Sequence, residues 1–156
     1  IYLALGVGKL PNDSFHVKLP LFKYTGAQGE KMVRVSEDGQ SAHTIFRVLN
    51  RFSDDLLHQV GLSYLTLVQA TLKTGRTHQI RVHLQSQHCP IAGDERYGDY
   101  QANKRLQKLG LKRMFLHAAE LHLDHPLTGE KLILKAPLPQ DLTQFVLMLG
   151  NAGKVV

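Results

Sequence analysis

The first half of the chain is cut into short apolar runs, and this punctuation limits what it can fold into more than any other feature. Tyr2–Val7, Phe15–Leu19 and Lys31–Ser36 are bounded by Gly, Pro, Asn and Asp, residues that mark turns. Longer strand-like runs follow at Ala42–Phe52 and Tyr64–Lys73. In the second, the sequence Leu65-Thr66-Leu67-Val68 implies burial on both faces. Helical patterns come later. Asp99 is placed to cap a helix running to about Leu109, with Leu106 and Leu109 inward. Glu120–Asp124 and Lys131–Lys135, joined through Pro126-Leu127-Thr128-Gly129, read as a hairpin, and Pro139–Leu149 reads as an amphipathic helix. From Thr77 to Gln87 both periods fit: Ile80, Val82 and Leu84 alternate, yet Ile80 and Leu84 also share a helical face. Thr77 as an N-cap favours the helix. The expected class is α+β, a mainly antiparallel or mixed sheet with flanking short helices.

The 156 residues suit one domain or a large piece of one. The chain opens at Ile1 without Met, and Ile1-Tyr2-Leu3-Ala4-Leu5 already reads as a strand, so a fragment of a longer domain is expected. A single cysteine, Cys89, allows neither an internal disulfide nor a CxxC zinc pattern. No apolar run approaches the roughly 20 residues of a membrane span. The expected location is the cytoplasm, with no membrane partner.

Nineteen Lys and Arg against 13 Asp and Glu give a net charge of +6, and the excess is uneven. Between Lys73 and Arg113 stand nine basic residues and three acidic ones, with Lys104, Arg105, Lys108 and Lys112 clustered at helical spacing. A field of that sign attracts phosphate, which makes nucleic acid a reasonable partner.

The densest polar cluster is Thr74-Gly75-Arg76-Thr77-His78-Gln79-Ile80-Arg81-Val82-His83. A Gly turn feeding a helix points backbone N–H groups outward, and Arg76 adds charge beside them, an arrangement suited to phosphate. Arg81 stands among apolar residues, and a buried guanidinium is costly unless a carboxylate or phosphate partners it. A surface helix with solvated arginines fits the spacing equally well. Nine histidines raise the question of a metal, but His78, His83 and His88 are spaced by five, as are His117 and His122. Five residues place side chains on different faces of a helix or strand, whereas a helical pair of ligands wants four. No metal site is expected. Asp94 in Ala92-Gly93-Asp94-Glu95-Arg96-Tyr97-Gly98 reads mainly as a loop carboxylate serving turn N–H groups, and only secondarily as a catalytic acid.

Leu72-Lys73 followed by that polar cluster resembles the signature of the pseudouridine synthases that modify large-subunit ribosomal RNA, the RluA-type branch. The similarity continues in order through Pro90–Gly98, Phe115-Leu116-His117-Ala118-Ala119, His125-Pro126-Leu127-Thr128-Gly129-Glu130 and Ala136-Pro137-Leu138-Pro139. Tyr2-Leu3-Ala4-Leu5 resembles the strand that carries the family's tyrosine. Val33-Arg34-Val35-Ser36 and Asp94–Asp99 look closest to the C subgroup of that branch. The resemblance implies the pseudouridine synthase catalytic fold, of which residues 1–156 are the C-terminal portion. It further implies isomerisation of uridine in 23S ribosomal RNA, with no cofactor.

Among site residues, the resemblance makes Arg81 and Tyr2 catalytic. Arg81 pairs with the nucleophilic aspartate, and Tyr2 stacks on the target uracil near C5. Ile80 and Leu116 form the apolar wall around the base, and Arg76 and His78 contact RNA. The family's nucleophile lies in a His-Arg-Leu-Asp segment upstream of the tyrosine strand, and no such tetrapeptide occurs in this sequence. The expected partners are therefore 23S ribosomal RNA and an N-terminal part of the same protein, and the chain alone is expected to be inactive. A non-catalytic RNA-binding module on the same scaffold is the alternative. A small-molecule hydrolase has little beyond Asp94 in its favour.

Overall fold

Successive side chains on a strand face opposite ways, and the first strand shows that both faces of its sheet are covered. Ala4 and Leu5 are neighbours in sequence, and both are fully buried. The computed structural model describes residues 1–150. Its elements are β1 (Tyr2–Val7), β2 (Ser14–Val17), β3 (Leu21–Thr25), β4 (Lys31–Val35), β5 (Thr44–Phe52), α1 (Asp55–Gln59) and β6 (Leu65–Leu72). Then come α2 (Gln79–Ser86), α3 (Tyr100–Lys108), β7 (Leu116–Ala118), β8 (Glu120–Asp124), β9 (Lys131–Lys135) and α4 (Gln140–Gly150). A five-stranded sheet runs in the order β2-β5-β6-β1-β7, with β3-β4 and β8-β9 as separate two-stranded sheets. Every named pairing is antiparallel. The class is the α+β arrangement expected.

Leu5, Leu65, Leu67 and Phe52 pack on one face against Leu57 of α1, Leu106 of α3 and Leu142, Phe145 and Leu149 of α4. Ala4, Phe46, Val68 and Ala70 pack on the other against Ile80 and Leu84 of α2. On its far side α2 presents Val82 to the β3-β4 hairpin, where it meets Leu21, Val33 and Tyr97. Burial on two sides explains why the sequence here satisfied both a strand and a helix period. The doubly buried run Leu65–Val68 is central in the sheet, as its composition implies, and the buried Thr66 hydroxyl donates to the Gly8 carbonyl at 2.7 Å. Burial pushes the Cys89 thiol up to about 12, which leaves it a packing residue.

Asp99 caps α3 as its position predicts, accepting from the Ala102 amide at 3.0 Å, and Leu106 is fully buried. Thr77 does not cap α2. The residue at that point is His78, with φ 55 and no side-chain cap bond, and the Gln79 side chain reaches back to accept from the Arg76 amide ahead of the helix. Three elements were not visible in the sequence. β3 carries the exposed Tyr24 and half-buried Phe22, covered by the Arg34 guanidinium at 6.0 and 5.0 Å rather than by a core. The helix α1 is a five-residue turn set by the Asp54 cap, too short to show a period. β7 has three residues and is defined by pairing with β1.

Candidate active site

The register of β1 brings the expected apolar residues together. Tyr2 lies opposite Ala70 and Ala118, and Ala4 lies opposite Val68 and Leu116. Tyr2 and Leu116 therefore share the face covered by α2, and both pack on the cluster that contains Ile80. Leu72 and Met114 complete it. An open cleft of ≈ 650 Å³ borders Tyr2, lined also by Leu72, Ala118, Leu121 and Leu134.

One residue after Ile80, Arg81 turns away from the sheet toward the loop that precedes α3. Its Nε and Nη2 donate to the two carboxylate oxygens of Asp94, both at 2.8 Å. This is the two-pronged pairing a planar guanidinium makes best. The Asp94 side chain is 0% exposed and that of Arg81 is 16% exposed. Asp94 also accepts from the Arg96 and Tyr97 amides at 2.9 and 3.1 Å, so it does serve turn N–H groups as the loop reading implied. The same carboxylate is the partner the half-buried arginine needed, which that reading missed.

Burial alone drives the Asp94 pKa upward, but the Arg81 bonds, the Tyr97 and Arg96 amides and the Arg81 charge outweigh it and hold the carboxyl below its ordinary value. The reciprocal bond raises Arg81, against a smaller opposing effect of burial. Gly93 sets the turn. Its φ is 81, and a Cβ there would run into the Arg113 carbonyl. The Tyr97 ring lies under the guanidinium at 4.9 Å, its hydroxyl accepting from the Val33 amide at 2.9 Å and bonded to His78 Nδ1 at 2.7 Å. Burial, followed by the Arg81 and Arg96 charges, lowers the His78 pKa. Arg76, the other expected RNA contact, is exposed, with its Nε donating to the Ser41 carbonyl at 2.9 Å.

Behind these residues lies a polar network that the sequence did not announce. The buried Gln79 side chain accepts from the Thr74 hydroxyl and Arg76 amide and donates to the His43 carbonyl and the Thr44 hydroxyl. Thr44 in turn contacts His83 Nδ1 at 2.8 Å, while His83 Nε2 donates to the Leu19 carbonyl at 2.9 Å. The carbonyl fixes Nε2 as the protonated nitrogen, so Nδ1 accepts from Thr44. Burial is the main cause that lowers the His83 pKa. The unfolded chain then binds more protons than the native state once pH falls below about 6.5, the ordinary value for histidine. We expect urea denaturation to show full stability above that pH and a progressive loss as pH drops toward the depressed value. His83→Gln should flatten this dependence. An unchanged pH profile in that variant would exclude His83 as its source.

Residues 1–86, more than half of the chain, match the family model described as RNA pseudouridylate synthase. The chain is 42% identical over 145 residues to "Ribosomal large subunit pseudouridine synthase C" of Pasteurella multocida, covering 93% of this chain and 41% of that protein. It is 41% identical to the protein of the same description from Escherichia coli K12, covering 97% of this chain and 45% of that one. The chain thus spans less than half the length of these relatives. The structure of human RNA Pseudouridylate Synthase Domain Containing 4 superposes with a TM-score of 0.66 at 28% identity, over 95% of this chain and 60% of that one. Human RNA Pseudouridylate Synthase Domain Containing 1 shares the fold, with a TM-score of 0.69 at 24% identity over 99% of this chain and 66% of that one. On the strength of the family match, the chain belongs to the RNA pseudouridylate synthases.

Proposed function

We propose that these residues are the C-terminal portion of a synthase domain that converts uridine to pseudouridine in 23S ribosomal RNA. The nucleophilic carboxylate of this reading comes from a His-Arg-Leu-Asp segment that the 156 residues do not contain. The single observation that carries the proposal is the placement of Arg81. It is anchored by Asp94 through Nε and Nη2, follows directly after Ile80 of the apolar cluster on which Tyr2 and Leu116 pack, and none of the described residues hydrogen-bonds its Nη1. A fixed guanidinium with N–H groups to spare can hold a second anion ionised next to a dry wall. In this reading the target base is drawn out of its stack and lies on Ile80 and Leu116 with Tyr2 over it. The carboxylate acts on the ribose, the C1′–N1 bond breaks, the uracil rotates, C1′–C5 forms, and the C5 proton leaves on the side of Tyr2. Arg76 and His78 contact the RNA around the base.

The 41–42% identity to relatives named as ribosomal large-subunit pseudouridine synthases supports the substrate. A second reading, a non-catalytic RNA-binding module, draws on the absence of the nucleophile tetrapeptide from the sequence. The full-length protein separates the two. Incubated with a 23S transcript, it should raise the pseudouridine content measured by mass spectrometry of nucleosides. Retention of the transcript with no new pseudouridine would favour the binding module and refute the synthase.

A further inference from the structure

Much of the basic excess of this chain lies on α3 and the turn that follows it. Between Tyr100 and Arg113 stand five basic residues and no acidic one, against a net charge of +6 for the whole chain. Lys104, Arg105, Lys108, Lys112 and Arg113 are all exposed. Tyr100 is 67% exposed, an unusual place for an aromatic ring, and the Lys104 ammonium stands over it at 4.8 Å. Clefts run around this helix and share Gln107. One of ≈ 280 Å³ lies between α3 and Arg81, bordered by Arg96, Asn103, Lys112 and Arg113. A second borders Lys104, Arg105, Lys108 and Lys112, and a third borders Tyr100, Asn103 and Lys104. The helix is also tied to the Arg81 site. Asn103 accepts from the Gly93 amide at 2.8 Å and donates to the Asp94 carbonyl at 3.0 Å.

We infer that the outer face of α3 and the turn that follows it, from Tyr100 to Arg113, form a docking track for single-stranded RNA that leads to Arg81. The inference rests on the RNA substrate proposed above and adds a surface to it. A polyanion fits the charge, and the exposed ring beside a cation fits an unpaired base, because stacking needs a face that a duplex hides. Apart from Tyr100, the outward residues of α3 are polar or charged, which does not suit an apolar partner.

The test is fluorescence anisotropy of the 156-residue chain with a labelled oligouridine, in a salt series, beside an RNA duplex of equal length. Lys104→Glu with Lys108→Glu should weaken oligouridine binding at least about tenfold and reduce the salt slope by about 0.7 per lysine removed. Tyr100→Ala should weaken it about fivefold or more while Tyr100→Phe does not, since only the ring face is used. Lys9→Glu, at the opposite end of β1, should stay within about twofold. The inference is overturned if the double variant binds like the parent, if Tyr100→Ala has no effect, or if the duplex binds as tightly and is weakened equally. Competition by polyglutamate as effective as by RNA would also overturn it, in favour of an acidic peptide. Pseudouridine formation by the full-length protein is read separately. Conversion with a KM unmoved by the double variant sinks the track and leaves the synthase reading intact. Loss of RNA binding in a full-length protein that converts no uridine does the reverse.

Discussion

Replacing Asp94 by alanine should lower the stability of the chain by about 3–5 kcal/mol in urea denaturation, one of the largest single-residue losses available to it. The carboxylate is completely buried and satisfies Arg81 twice and two backbone amides once each. Its removal leaves a half-buried guanidinium without its partner and two turn N–H groups without an acceptor. Asp94→Asn keeps an oxygen for the amides but not the charge, so its loss should be smaller. The acid side follows from the direction of the shift. Because the native carboxyl is held below its ordinary value, its contribution is fully present above about pH 4, the unfolded carboxylate value, and disappears as pH falls through the lower native one. In Asp94→Ala that part of the acid unfolding should vanish. A variant within about 1 kcal/mol of the parent would mean that the ion pair does not organise this loop.

In the full-length protein, Arg81→Ala should reduce kcat for pseudouridine formation by about a thousandfold or more, with RNA affinity within a few-fold. The guanidinium is proposed to keep the nucleophilic carboxylate ionised against the apolar face of Ile80 and Leu116, a role realised in the reaction rather than in binding. Arg81→Lys retains a positive charge but not the fork that grips Asp94 while offering further N–H groups, so it should also be severely slowed. Release of tritium from C5 of labelled uridine reads the rate. Since either change leaves Asp94 without its bidentate partner, folding of each variant must be verified by circular dichroism first. A properly folded Arg81→Ala enzyme with parental kcat would remove Arg81 from the chemistry.

How much of this was legible depended on the distance over which each signal acts. Asp99 capping α3 was readable because an N-cap needs only the next three residues, and the inward Leu106 because helical period is local. Short runs between turn residues gave the antiparallel character. The strand β3 escaped notice because its aromatic residues rest under Arg34 on the surface, and α1 and β7 because so few residues carry no period. The members of the proposed site came from the resemblance, and the bonds among them from the fold alone. Tyr2, Ile80 and Leu116 were named from resemblance; the register of β1 against β7 puts Tyr2 and Leu116 on one face, and the packing of α2 brings Ile80 to it. Asp94 was visible as a turn carboxylate, but its pairing with Arg81 spans 13 positions and follows no period. Gln79 and His83 stood in the polar cluster, but their bonding through Thr44 gave no sign, since polar residues interlock in a core only after three elements have assembled around them.

The most direct test compares pseudouridine formation in a 23S transcript by the full-length protein and by the 156-residue chain alone. The account predicts conversion by the former and none by the latter, which should bind RNA in a salt-sensitive way without changing it. Conversion by the isolated 156 residues would contradict the account, because the carboxylate that Arg81 is proposed to hold would then have to come from within this chain.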